Sequence, residues 1–283
     1  MYIDLRYFMN TKYVFLDIDG TLVDGNGVVP ESAFEAIVRA REHGHKIFIC
    51  SGRSRCEMHD NIMSVPLDGI VGSAGAYVEL DGKMVFHRPM TPDMNRKLFD
   101  YFKPKNMAIF VETNYELLVN DIGLEYVNEH IKWCKAHNEP YDKQLFDLAE
   151  PLDSIEHPEQ LGINKMLFVT NDYTLDQVKA DMSDEFTVVD SGIRLPGNSG
   201  ELSEPGMNKG VGIEYVLNHF GADVTDAIGI GDGENDMEML KACGVGIAMG
   251  NANPVLKGIA DYVTTDVDKD GLKNAFEHYG LIR

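Results

Sequence analysis

Cysteine is scarce: Cys50, Cys56, Cys134 and Cys243 are the only four in 283 residues, and no two stand at Cys-x-x-Cys spacing. A disulfide framework and a cysteine-ligated zinc site are thereby excluded as the basis of the fold, and reduced, structural thiols are expected. Positive charge is scarce too. Against 46 Asp and Glu there are 25 Lys and Arg, for a formal net charge of -21 and a pI near 4.7. A field of that sign repels nucleic acid and anionic membranes, so an anionic ligand has to be caught by a few locally placed cations. No apolar run approaches the roughly 18 residues that a membrane-spanning helix requires. The opening Met1 to Tyr13 lacks the apolar segment and cleavage site of a signal peptide, which predicts a cytoplasmic protein. Met1 to Phe8 reads as an extra strand, a tail or an upstream start. Repeats and low-complexity linkers are missing, and nothing sets an oligomeric state.

What is present is an ordinary globular composition, 44% hydrophobic, in a chain long enough for one large core or two smaller ones. Its most informative stretch is Val14-Phe15-Leu16-Asp17-Ile18-Asp19-Gly20-Thr21. The apolar run predicts a buried strand, and Gly20 permits a sharp exit that leaves two carboxylates at the strand's carboxyl end, where open α/β sheets bind ligands. Two acids this close either share a proton or need a counter-charge, and hard oxygen ligands favour magnesium. Asp-x-Asp-Gly also opens EF-hand loops. Here, however, a strand precedes it, and Thr21 and Val28 occupy the fifth and twelfth loop positions where calcium ligands belong.

Further along, Pro30 to His43 carries Phe34, Ile37 and Val38 at helical spacing between a proline start and a Gly44 stop. Lys46 to Cys50 then reads as a strand ending in Ser51-Gly52-Arg53, a hydroxyl, a glycine amide and a cation suited to an anion. Standing alone, that tripeptide is more often an ordinary polar connection between strand and helix. A helix is expected from Asn208 through His219, with Lys209 in its first turn. A cation there opposes the helix dipole, which an anion in front would explain. Ala227 to Ile230 is another short strand, emptying into Gly231-Asp232-Gly233-Glu234-Asn235-Asp236 before a helix at Met237 to Ala242. Asp236 suits either that site or a plain helix-terminus role. A strand at Val245 to Met249 and a helix at Asp270 to His278 complete an alternation that predicts a doubly wound α/β fold with a parallel sheet.

The interval between Ser51 and Lys209 has elements of its own: helices at Thr91–Phe102, Ile122–His137 and Thr174–Met182, and strands at Met107–Glu112, Glu116–Asn120, Lys165–Thr170 and Phe186–Val189. An inserted α+β domain is therefore expected at 84–190, within a main domain made of 1–83 and 191–283.

Taken in order, Asp17-Ile18-Asp19-Gly20-Thr21, Ser51-Gly52-Arg53, Lys209-Gly210 and Gly231-Asp232-Gly233-Glu234-Asn235-Asp236 resemble the four motifs of the haloacid dehalogenase superfamily. The closing segments Gly246-Ile247-Ala248-Met249-Gly250-Asn251-Ala252 and Ala260-Asp261-Tyr262-Val263-Thr264, with the long insert, resemble its Cof-type sugar-phosphatase branch with a class IIB cap. The resemblance implies a phosphatase acting on small phosphorylated metabolites, chiefly sugar phosphates. Asp17 would attack phosphorus to form an aspartyl-phosphate, and Asp19 would protonate the leaving alcohol and later activate water. Mg2+ would be held by Asp17, the Asp19 backbone carbonyl and Asp232. Ser51, the Gly52 amide, Lys209 and Asn235 would hold phosphoryl oxygens, with Asp236, Thr21 and Arg53 in support. A phosphomutase would share these parts, and a receiver-type phospho-acceptor domain some of them. Arg194, Asn198 and Glu201, near Lys209 in sequence, are candidates for leaving-group contacts. One departure stands out: the branch commonly has Asn-Gly-Ala where this chain has Ala74-Gly75-Ala76, which bears on substrate preference.

Overall fold

The computed structural model describes residues 11–138, 149–191 and 197–282, so the readings of Met1 to Phe8 and of Arg194 lie outside the described residues. The chain forms two compact units. One takes the chain through Arg53, Met58–His87 and Asn208 onward; the other takes Ser54–Glu57 and Arg88–Met207.

In the first unit the apolar runs form β1 (Tyr13–Leu16), β2 (Lys46–Cys50) and β12 (Ala227–Gly231), buried on both faces as parallel strands between helices must be. They join β3 (Gly69–Gly72), β4 (Tyr77–Leu80), β5 (Lys83–His87), β13 (Val245–Ala248) and β14 (Tyr262–Val263) in an eight-stranded sheet of order β14-β13-β12-β1-β2-β3-β4-β5. The doubly wound α/β expectation holds, with one correction. The sheet is not wholly parallel: β4 runs antiparallel to β3, and β5 to β4. The turn at Ser73–Gly75 reverses the chain between β3 and β4, and the Asp81-Gly82 turn, with φ of 49° and 70° as a tight hairpin requires, reverses it again between β4 and β5.

Helix Glu31–Glu42 packs on Gly271–His278, and Lys209–Phe220 packs on Met237–Ala242. Phe15, Phe48, Ile37, Ile47 and Phe276 are fully buried in one core, where each such side chain contributes roughly 1.5–3 kcal/mol. The order of the sheet matters for function. From β1 the chain proceeds to β2 and β3 on one side and returns through β12, β13 and β14 on the other. The boundary between β1 and β12 is thus a topological switch point, where ligands bind beyond the strand ends. Leu16 stands opposite Ile49 and Ile230, so that register brings Asp17, Ser51 and Asp232 out at the same end.

The second unit contains β6 (Ala108–Glu112), β7 (Leu117–Val119), β8 (Ala149–Pro151), β9 (Lys165–Thr170), β10 (Thr187–Val189) and β11 (Asn198–Ser203), in the order β10-β11-β9-β6-β7-β8. Alternation serves both faces: Ile109, Val111, Met166 and Phe168 enter one core, while Ala108, Phe110, Leu167 and Val169 enter the other. Helices Pro92–Phe102, Asp121–His137 and Leu175–Met182 accompany this sheet. Because β5 belongs to the first sheet and β11 to the second, the unit limits fall at 87/88 and 207/208, against the sequence expectation of 83/84 and 190/191.

Candidate active site

Four loops of the first unit converge beyond β1, β2 and β12. Asp17 leaves β1 with its amide donating to the Ile230 carbonyl at 3.0 Å, and the Ser51 amide donates to the Val71 carbonyl at 2.9 Å. Gly20 has φ of 77° and lies against Asp232 so closely that a Cβ would overlap the carboxylate. Gly75, at φ 95°, is equally constrained by the Asn208 carbonyl; the turn after β3 thus abuts the start of the helix that carries Lys209. Asn208 caps that helix through its side chain, accepting from the Val211 amide.

The centre of the site is an ion cluster. Lys209, 1% exposed, donates from Nζ to Asp17 Oδ1 at 2.6 Å and to Asp236 Oδ1. Asp236, 0% exposed, uses its other oxygen to accept the Asp232 and Gly233 amides at 2.9 and 3.0 Å. It therefore holds the lysine and shapes the loop at once. Oxygens of Asp17, Asp232 and Asp236 all lie within 4.8 Å of one another. Burial, then the Asp236 charge, pushes Asp17 up to about 8 and Asp232 up to about 6. Burial alone would lower Lys209, but Asp17 and Asp236 outweigh it and raise it above its ordinary value.

Three carboxylates around one ammonium leave excess negative charge, which a divalent cation would offset. The donors fit such an ion: all are hard oxygens, and octahedral Mg2+ with bonds of about 2.1 Å spans about 4.2 Å between opposite ligands. The Thr21 hydroxyl, fully buried among these loops, has no hydrogen-bond partner among the described residues.

Other predicted residues stand around this cluster. The Asp19 side chain is 61% exposed and receives a two-pronged contact from Arg53, Nε to Oδ2 at 2.9 Å and Nη2 to Oδ1 at 2.7 Å. Ser51 is buried, and its Oγ accepts the Arg53 amide at 3.1 Å. Gly52 has open space where a Cβ would be, and Asn235 is exposed in the turn Glu234–Asp236. Of the candidates for leaving-group contacts, Asn198 opens β11 and Glu201 pairs with Lys165 at 3.2 Å, both in the second unit. Ala74 has φ of 50° and ψ of 40°, a left-handed conformation that Asn tolerates better than Ala, which gives the departure from Asn-Gly-Ala a backbone cost. Asn251, which the sequence offers only as part of a closing segment, reaches both Gly20 and Asp232. Its signal was its place, in a glycine-flanked loop directly after β13.

A family model described as haloacid dehalogenase-like hydrolase matches residues 14–276. The Bacillus subtilis protein YkrA is 29% identical over 278 residues, covering 97% of this chain and 100% of YkrA. The 5-amino-6-(5-phospho-D-ribitylamino)uracil phosphatase YitU of the same organism is 26% identical over 280 residues, covering 96% and 99%. Among solved structures, a HAD-superfamily phosphatase from Bacteroides thetaiotaomicron superposes with a TM-score of 0.78 at 27% identity, covering 96% of both chains. The chain belongs to the haloacid dehalogenase-like hydrolases, and within them it is a phosphoric monoester hydrolase.

Proposed function

We propose that the protein is a magnesium-dependent phosphatase of small phosphorylated metabolites, sugar or polyol phosphates first among them, working through an aspartyl-phosphate on Asp17. The observation that carries this reading is the buried contact of Lys209 with both Asp17 and Asp236, in reach of Asp232. Asp17 attacks phosphorus, and the bond to the leaving alcohol breaks as that oxygen takes a proton from Asp19. Asp19, now ionised, takes a proton from water, which attacks phosphorus and frees Asp17. Asp19 suits both halves because its side chain is exposed toward solvent, whereas Asp17 is buried. Ser51, the Gly52 amide, Asn235 and Lys209 hold phosphoryl oxygens, Lys209 bringing a positive charge beside the nucleophile Asp17. Asp17, the Asp19 carbonyl and Asp232 would hold Mg2+, which supplies neutralisation and orientation of the phosphate.

YitU's named substrate, a phosphorylated ribityl compound, supports polyol phosphates as the class to try first. The second unit is assigned the choice of leaving group, as the cap of the family. All four cysteines are unpaired, which suits a reducing compartment, and we place the enzyme in the cytoplasm. Mg2+-dependent release of phosphate from an aryl phosphate tests the reading. Turnover is expected to need Mg2+ and to vanish in Asp17→Asn; activity retained by that variant would refute the nucleophile.

A further inference from the structure

Asn251 is exposed, yet its side chain spends every hydrogen-bonding group outside its own loop. Nδ2 donates to the Gly20 carbonyl at 2.8 Å and to Asp232 Oδ2 at 3.2 Å, while Oδ1 accepts the Val267 amide at 2.9 Å. The Val267 amide is a donor only, so it fixes which end of the carboxamide faces Asp232. An Asn serving its own turn bonds backbone one or two residues on. Here the partners lie 231, 19 and 16 residues away.

The surrounding loop is anchored to the same place. The Met249 amide donates to the Gly231 carbonyl at 2.9 Å, and the Asn253 amide to the Asp232 carbonyl at 3.1 Å. Gly250 is pressed against the Asp266 backbone, so no larger residue fits beside Asn251. Asp232 needs such help. Its neighbour Asp236 repels it and touches only its backbone amide, leaving the carboxylate itself to be aimed by something else.

We propose that Asn251 is a positioning residue for the divalent cation: it clamps the Asp232 carboxylate to the Gly20 turn, joining the first and fourth motif loops to the segment at Val267. Hydrogen-bonded partners of metal-ligating carboxylates orient their ligands, and losing one costs about 10–100-fold in metal affinity. The inference rests on the proposed cation site, so the test separates the two. Mg2+ is titrated calorimetrically into the full chain without substrate, for wild type, Asp232→Asn, Asn251→Ala and Asn251→Leu, the last keeping bulk while removing all three bonds. Melting in metal-free buffer is followed alongside.

Wild type is expected to bind Mg2+ and Asp232→Asn to lose it. Both Asn251 variants should melt near the wild type in metal-free buffer and bind at least about tenfold more weakly. Their Mg2+ requirement for phosphate release should rise in parallel, with the maximal rate at saturating Mg2+ largely recovered. Absent Mg2+ binding by wild type would sink the site itself. Binding lost in Asp232→Asn but unchanged in either folded Asn251 variant would overturn the positioning role alone. Failure of both variants to fold would make Asn251 structural and overturn it as well.

Discussion

Each unit of this protein buries one lysine among three carboxylates, and only one of the two clusters looks like a place for chemistry. Lys165, on β9, meets Glu112 on β6 and Glu201 on β11, each at 3.2 Å, and Glu57 at 3.9 Å. Glu112 stands directly opposite Lys165 in register, so this cluster is a cross-strand pair with two further partners. Lys209 instead opens a helix, and its carboxylate partners follow parallel strands β1 and β12, beside glycines that admit close approach. A buried lysine among acids is therefore no signature of a site. What distinguishes Lys209 is that Asp17 and Asp232 keep oxygens within 4.8 Å of one another, close enough to share a metal ion, while the nearest Lys165 partners, Glu112 and Glu201, are held by a sheet.

Removing each amine should accordingly move a different observable. Lys165→Met leaves carboxylates buried without their cation and is expected to cost about 3–5 kcal/mol of unfolding free energy, with turnover by the folded protein retained. Urea denaturation and initial rates on the same preparation check this, and a rate loss at full folding would break the contrast. Lys209→Met is expected to raise the barrier by about 3 kcal/mol, at least a hundredfold in kcat. Steady-state kinetics with saturating Mg2+ check it, and near-normal turnover would remove Lys209 from phosphate stabilisation.

The two clusters also differ in how pH should reach them. Burial and the neighbouring Glu57 push Glu112 well above the usual carboxylate range. A group whose folded pKa is raised holds its proton more tightly when folded, so its contribution is present at acid pH. That contribution is lost as pH rises from the ordinary Glu value toward the folded one. Glu112→Gln, which cannot ionise, should flatten this loss, making the variant gain relative to wild type as pH increases. Melting temperatures across a pH series would show it; parallel curves would contradict it.

The smallest expected effect concerns Ala74, left-handed at φ 50°. Ala74→Gly relieves a conformation that costs an L-residue about 1–2 kcal/mol but loosens the unfolded chain, so a net gain of about 0.5 kcal/mol is expected. Chemical denaturation resolves that shift, and a loss of stability would show that the methyl group packs usefully.

Much of the first unit was legible because its strands are short continuous apolar runs that end in charged or glycine-rich loops; Lys46–Cys50 and Met237–Ala242 match their expected limits. The β4–β5 hairpin was missed although Asp81-Gly82 announces it, since Lys83 and His87 dilute the alternation of its second strand. β11 was missed for a different reason. Asn-Ser-Gly-Glu-Leu-Ser has one large apolar residue, and it becomes a strand by pairing with β9 and β10, a partnership local pattern does not carry. The same limit hid Asn251: motif order shows which loops exist, whereas a carboxamide linking Gly20, Asp232 and Val267 is visible only when the loops are in place.

The claim at the centre is that Asp17 becomes phosphorylated during turnover. Acid quenching of wild type mid-turnover on a labelled phosphate ester with Mg2+, followed by peptide mapping, measures this directly. The predicted result is label on the peptide containing Asp17, absent from Asp17→Asn and from samples without Mg2+. Label on another residue, or full turnover with none, would contradict it.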